Sequence, residues 1–360
     1  MKRILIIKVT SLGDIIQAQP VVADLRRAYP GVVIDWAADE AFAEVVQWNT
    51  GVERVLFAPL RRFKKTRRWA DLKAIWDSVT ELREHRYDLV LDIHGVYKSA
   101  IIAFLARGRR RIGYLNRDLG ERGAAFAYSD RFGPRPDCDA WHGMRVSVAD
   151  KLGFPLDPTP DYHLAIPPAS KPWVDSQGAP VALFFHATSK DEKKWPVSHW
   201  IEVGRELIAR GFHIALPWGS DAEQRTANEI AAELPAATVL PRLSVTEVAQ
   251  VIEQSSLVVG TDTGFVHLAH ALLKRTVMIF TATSAGHLGI RAPHRSLSIG
   301  EEGRVPSVGE VIDAIDYVHS TPSAVQSMRP APAQAEATVL TPVPGANVVA
   351  STSSSTRATV

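Results

Sequence analysis

Short apolar runs rich in Ile and Val alternate with stretches of helical period along most of this chain, and that alternation limits the fold more than any other feature. Arg3-Ile-Leu-Ile-Ile-Lys-Val leads into a helical pattern over 14–28. Val32-Val-Ile-Asp-Trp-Ala follows, a helix is predicted over 70–84, and Asp88-Leu-Val-Leu-Asp-Ile precedes another over 98–105. Beyond Asp161 the pattern resumes, with strands over 181–186, 213–218, 238–240, 257–261 and 277–280 and helices over 198–210, 222–233, 245–254 and 264–273. Runs that are apolar throughout, rather than on alternate residues, are strands covered on both faces, and parallel strands need a crossover helix between them. The class is therefore α/β, with two doubly wound parallel sheets. A proline-rich junction, Ile166-Pro-Pro-Ala-Ser-Lys-Pro-Trp with Pro180 beyond it, separates them and gives domains at 1–168 and 169–320.

The remaining residues, 321–360, hold five Pro, twelve Ser or Thr, eight Ala and three charges, with no aromatic side chain. So little apolar surface does not offset the entropy of ordering, and a disordered tail is expected. The single cysteine, Cys138, has no partner for a disulfide, which points to a reducing compartment and a cytoplasmic protein. The basic, briefly apolar start lacks the long apolar core of a secretory signal, and no run is long enough to cross a membrane. Neither export nor membrane spanning is expected.

The net charge of +2 divides into +5 over residues 1–170 and −3 over 171–360. The basic excess is concentrated in Arg61-Arg62-Phe63-Lys64-Lys65-Thr66-Arg67-Arg68-Trp69 and in Arg107-Gly-Arg-Arg-Arg111. Such a run is either a solvated loop or a surface for an anionic partner. No RNP or helix-turn-helix pattern accompanies it, so nucleic acid is not the expected partner.

In open α/β sheets, ligands bind past the carboxyl ends of the strands, where helix N-termini present free N–H groups. Three strand-to-helix loops stand out. In Lys8-Val-Thr-Ser-Leu-Gly13-Asp14, Gly13 permits close approach of another group, and Asp14 falls in a first helical turn. Asp14 either complements the helix dipole or offers a carboxylate to a ligand. In His186-Ala-Thr188-Ser189-Lys190-Asp-Glu-Lys193-Lys194-Trp-Pro, hydroxyls and lysines suit phosphate oxygens, with a solvated charged loop as the alternative. In Val258-Val-Gly-Thr261-Asp262-Thr263-Gly264-Phe-Val-His267, the amides of Thr263 and Gly264 open a helix and could cradle a pyrophosphate. Alternatively Asp262 or Thr263 only caps that helix, and His267 is a core histidine. Glu223, in Leu216-Pro-Trp-Gly-Ser-Asp-Ala-Glu, is a further acceptor suited to a ribose diol. Dinucleotide and P-loop glycine motifs are absent. A carboxylate in one half and two anion sites in the other suggest a nucleotide-sugar transferase with its acceptor and donor on different domains.

The segments KVTSLGDIIQAQP, DWAADEAFAEVVQWNTGVERV, DIHGVYKSA, FFHATSKDEKKWP, LPWGSDAEQR and VGTDTGFVHLAHAL, in collinear order over about residues 1–320, resemble the ADP-heptose glycosyltransferase family of lipopolysaccharide inner-core assembly. The HAT-[ST]-x-D-x-K-x-W segment is most similar to the members that add the first heptose. Ser189 stands where a second threonine is usual, and the tail has no counterpart.

The resemblance implies a GT-B fold, two Rossmann-like domains facing a cleft. It implies inverting transfer of L-glycero-D-manno-heptose from ADP-heptose to the first Kdo of Kdo2-lipid A, with Asp14 as catalytic base and Lys193 on the donor's phosphate and sugar. Thr188, Ser189, Glu223, Leu243, Asp262, Thr263, Gly264 and His267 fall on the donor side: Glu223 on the ribose, Thr263 and Gly264 on the diphosphate, Asp262 on the heptose. Ser11, Gly13, Arg61, Arg62, Lys64, Lys65 and Lys98 fall on the acceptor side, where the basic run would meet the phosphates and carboxylates of Kdo2-lipid A. The Ile101 to Arg111 stretch would assist at the membrane surface. Neither a cofactor nor a metal ion is expected, because Lys193 and a helix N-terminus can meet the leaving diphosphate's charge. The expectation is a monomer, peripheral on the cytoplasmic face of the inner membrane. The alternatives are a paralogous transferase acting on a later core position and a non-catalytic nucleotide-sugar or anionic-lipid binding module.

Overall fold

The computed structural model describes residues 1–58, 69–188 and 190–320, and residues 1–320 form one compact unit. The basic residues Arg61, Arg62, Lys64 and Lys65, Ser189 and the tail 321–360 lie outside the described residues.

Two six-stranded sheets carry the fold. The first holds β1 (Arg3–Ile7), β2 (Val33–Asp39), β3 (Arg54–Ala58), β4 (Tyr87–Asp92), β5 (Gly108–Gly113) and β6 (Asp130–Arg131) in the order β3-β2-β1-β4-β5-β6. The second holds β7 (Val181–Phe185), β8 (His213–Leu216), β9 (Ala237–Val239), β10 (Leu257–Thr261), β11 (Thr276–Ile279) and β12 (Ser296–Ile299), ordered β12-β11-β10-β7-β8-β9. The pairings are parallel throughout; Ile6, for example, lies between Trp36 and Leu91. Strand order reverses between β1 and β4 in one sheet and between β7 and β10 in the other. These are the switch points at which α/β sheets open a crevice for ligands.

The helices that frame these points are α1 (Leu12–Ala18), α2 (Pro20–Ala28), α3 (Ala43–Gln47), α4 (Trp69–Arg83), α5 (Tyr97–Leu105) and α6 (Ala140–Leu152) in the first half. The second half contributes α7 (Val197–Ala209), α8 (Asp221–Ala232), α9 (Val245–Gln254), α10 (Gly264–Ala271), α11 (Ala285–Leu288) and α12 (Val308–His319). The single helix expected over 14–28 is two. Pro20 has no N–H to continue the ladder and takes the first position of α2, so α1 ends at Gln19. One apolar cluster runs from Ile4 and Ile6 through Ile15 and Ile16 on α1 to Val266 and Leu268 on α10, joining the two halves. Full burial of each such side chain contributes about 1.5–3 kcal/mol. Beneath it, Arg145 of α6 makes two hydrogen bonds to Asp24 of α2, at 2.8 and 2.9 Å, both residues being buried. Removing one partner of such a pair strands the other charge.

The strand β5 was not anticipated, because Gly-Arg-Arg-Arg-Ile-Gly reads as a basic patch; its arginines project at the rim of the sheet while Ile112 goes inside. Of the Ile101–Arg111 stretch, Ile101 and Phe104 are exposed on α5, while the arginines belong to the strand and its approach. β5 begins at Gly108, so Arg107 and Arg109 stand at the amino ends of the strands, away from the ligand loops. Arg110 is bound to Asp130, and Arg111 donates to the carbonyls of Ala103 and Ala106. Nor does the pattern predict β3, β6, β12, α3 and α11, which are short, or α6, which is weakly periodic; α12 is also absent from it despite a regular apolar stripe of Val311, Ile315 and Val318.

Candidate active site

At the first switch point, Ser11 precedes α1 and Asp14 lies in its first turn. Asp14 Oδ2 accepts hydrogen bonds from the Ser11 amide (3.0 Å) and hydroxyl (2.7 Å), while Lys8 Nζ lies 3.1 Å from Oδ1. Lys8 is held by the end of β1, where its carbonyl accepts from the Trp36 indole at 3.2 Å. Burial pushes the Asp14 carboxyl up, but Lys8 and the two Ser11 hydrogen bonds outweigh it and hold the group below the usual carboxylate range. Asp14 is therefore ionised at neutral pH, with 35% of its side chain open to the cleft. His94, just past β4, is held neutral: burial and the Lys8 charge push it down to about 4 against the pull of Asp14, and its Nδ1 is buried with no hydrogen-bond partner among the described residues. Lys98 is exposed at the start of α5, its charge also felt at His94.

At the second switch point, Lys193 sits in a 3-10 turn, Asp191–Lys193, that Thr281 fastens by donating to the Glu192 carbonyl at 2.9 Å. Lys193 Nζ reaches Asp262 Oδ2 at 2.5 Å, and Thr283 donates to the same oxygen at 3.0 Å. Thr188 Oγ1 donates to the Asp262 carbonyl at 3.3 Å. The two residues assigned separately to phosphate and heptose are thus an ion pair here, one that a bound donor must share or part. The capping alternative does not hold. Thr263 occupies the N-cap position of α10 without a side-chain cap bond, and the Asp262 carboxylate is turned away to Lys193 and Thr283. Glu223, in the first turn of α8, accepts from the Gly219 amide at 2.7 Å, and its carbonyl is 3.1 Å from His186 Nε2. Leu243 is half-buried in the loop from β9 to α9.

The two points meet. α1 and α10 pack N-terminus to N-terminus: a Cβ on Gly13 would stand 2.8 Å from His267 Cδ2, and one on Gly264 2.7 Å from Leu12 Cγ. Glycine at both places lets the helix starts that carry Asp14 and follow Asp262 approach this closely. His267 is buried, as the core alternative anticipated, yet its Nε2 lies 4.0 Å from Asp262 Oδ1. Asp137-Cys138-Asp139 has a spacing used elsewhere for metals, but Asp139 accepts from the amides of Trp141 and His142 as the cap of α6. Among the described residues no group of three or more His, Cys, Asp or Glu is placed to hold a metal ion.

Lys8, His94, Gln17 and Thr283 also line or support the site, though the sequence pattern marks none of them for a role. Thr283 carries the clearest signal, since it follows β11 in the next strand-to-helix loop of the same sheet.

Comparison with known proteins agrees with this arrangement. Lipopolysaccharide heptosyltransferase 1 of Pseudomonas aeruginosa is 36% identical over 80% of this chain and 81% of its own length. The protein of the same name from Escherichia coli K12 is 32% identical, over 82% of this chain and 95% of its own. The solved structure of E. coli heptosyltransferase WaaC with ADP superposes with a TM-score of 0.76 at 30% identity, covering 87% of this chain and 99% of that one. The same enzyme with ADP-2-deoxy-2-fluoro heptose gives 0.74 at 28% identity. The fold is accordingly GT-B-like, two Rossmann-like halves with their switch points opposed. Residues 75–311 match the profile of glycosyltransferase family 9 (heptosyltransferase), and with relatives of this identity over most of its length the chain belongs to that family.

Proposed function

We propose that this glycosyltransferase moves heptose from ADP-heptose to the first Kdo of Kdo2-lipid A with inversion, in assembly of the lipopolysaccharide inner core. The observation that carries the reading is the opposition of an ionised, accessible Asp14 to the Lys193–Asp262 pair across the glycine seam. Single displacement needs a base on the face of the sugar away from the leaving group, and here each stands on its own switch point. Asp14 takes the proton of the acceptor hydroxyl. Lys193 and the first amides of α10 meet the charge that develops on the departing diphosphate. Glu223 is suited to the ribose, and Lys98 with the basic run 61–68 to the anionic acceptor. The greater identity to the Pseudomonas and E. coli K12 proteins named heptosyltransferase 1, 36% and 32%, than to the Salmonella heptosyltransferase 2, 26%, favours the first position of the core.

Peripheral attachment at the inner membrane belongs to the same proposal. Among the described residues no helix is long and apolar enough to cross a membrane. α4 packs on β3 and α5 beside it on β4 and β1, and they leave Phe57, Trp76, Tyr97, Ile101 and Phe104 exposed, with the Phe126 ring 5.8 Å from that of Phe104. Exposed aromatic and aliphatic groups suit a lipid interface, and the basic run 61–68 in the sequence just before α4 suits its anionic headgroups. A working monomer is part of the same proposal. The test is product analysis with ADP-heptose and a panel of Kdo2-lipid A and heptosylated core, with EDTA present. Transfer to Kdo2-lipid A alone is expected. Transfer only to heptosylated core would assign a later position, and donor binding without transfer would leave a binding module.

A further inference from the structure

A chain of buried side chains crosses from the first half to His267. The Tyr162 hydroxyl donates to Gln17 Oε1 at 2.9 Å, and Gln17 Nε2 lies 2.9 Å from His267 Nδ1. All three residues are buried. The proton of a buried hydroxyl needs an acceptor, and among the described residues Gln17 Oε1 is the one Tyr162 has. With its oxygen so engaged, the Gln17 amide turns its NH2 toward the imidazole. Two donors cannot face one another, so His267 Nδ1 carries a lone pair and the ring proton is on Nε2. That nitrogen is on the edge of the ring that lies against Gly13, 4.0 Å from Asp262 Oδ1. Trp141 packs edge-on to the same ring at 5.4 Å and donates its indole N–H to the Leu288 carbonyl at 3.1 Å, which fixes the ring plane.

We propose that Gln17 and Tyr162 are positioning residues that lock His267 as the Nε2–H tautomer, so that a neutral N–H donor is aimed into the seam between Asp14 and Asp262. This rests on the reading that the transferred sugar and its leaving diphosphate pass through that seam. Burial pushes His267 down to about 4, against the pull of Asp262 and Asp14, so the ring donates a hydrogen bond there without adding a positive charge. A donor held in place beforehand stabilises developing charge with no reorganisation at the moment of reaction. The device also couples the halves, because the tautomer of a residue on α10 is set from α1.

The test uses the full-length protein labelled with 15N-histidine, with the His267 signals assigned by their loss in His267→Gln. Wild type is expected to show an unprotonated Nδ1 and a protonated Nε2 at neutral pH. Gln17→Glu is close to isosteric but can only accept, so Nδ1 gains the proton; kcat is expected to fall about a hundredfold with the donor KM changed less than about tenfold. Tyr162→Phe frees the amide to turn and should give a mixture of tautomers. A protonated Nδ1 in wild type overturns the proposal, as does a Gln17→Glu enzyme whose tautomer flips without loss of kcat or does not flip at all. If Gln17→Glu does not fold, wild type and Tyr162→Phe still decide. The tautomer is read without turnover, so a wild-type protein that fails to transfer heptose would defeat the proposed function and leave this result standing.

Discussion

Asp14 and Asp262 each stand at the carboxyl end of a parallel strand with a lysine in contact, Lys8 at 3.1 Å and Lys193 at 2.5 Å, yet they are built for different work. Asp14 draws its partners from its own loop, Lys8 and Ser11, and keeps 35% of its side chain open. Asp262 is 13% open and is gripped from two other loops, by Lys193 and Thr283. A carboxylate that must take a proton needs access and a local partner that can yield. One that must hold a shape needs partners brought from elsewhere in the fold. The contrast lies in the origin and number of the contacts, since both carry a lysine.

Asp14→Asn should expose the difference most. It preserves shape and removes the base, so turnover is expected to fall by roughly two to four decades while ADP affinity, measured by titration calorimetry, stays near wild type. Undiminished turnover would sink the base assignment. Lys193→Ala frees the buried Asp262 charge as well as removing a cation, and kcat/KM for the donor should drop by about two to three decades with ADP affinity reduced in parallel. A loss confined to acceptor KM would count against the donor-side role.

Lys8→Met separates the two pairs by pH. Asp14 acts when ionised and its folded value is depressed, so the wild-type contribution is present above that value and lost only as pH falls through it, below the ordinary carboxylate range. Without Lys8 the burial contribution prevails and the acid limb of kcat/KM should move to higher pH, with about a tenfold loss near the limb. A limb that stays in place would show that Ser11 alone sets the base. Thr283→Ala is the mildest: it removes one of the contacts to Asp262, about 0.5–1.5 kcal/mol, and should raise the donor KM by less than about tenfold with acceptor KM unchanged.

Much of this was legible in the chain because it is local. The strand-then-helix rhythm gives both sheets, and a glycine and a carboxylate right after an Ile-rich strand mark Asp14. What escaped is what contact decides. Lys193 and Asp262 each look like a ligand group on its own, and nothing in the spacing says that they neutralise one another. Gln17 reads as one more polar residue of a helix, since Tyr162 and His267 are brought to it only by folding. Arg110 and Arg111 look like part of a surface charge, but Asp130 and the carbonyls at the end of α5 consume them. A charge count registers side chains without their partners, so it overstates what remains for a ligand.

The break at Pro20 has a mechanical consequence. α2 is riveted to α6 by Asp24 and Arg145 and behaves as a beam. The seven residues of α1 hang from it through Gln19 with no backbone hydrogen bond donated by Pro20 to carry torque across. Asp14 and Gln17 are three residues apart on that short segment, so they tilt as one piece. Whatever rocks the turn to meet an arriving hydroxyl also tugs on the imidazole across the seam, and the beam behind it does not have to bend.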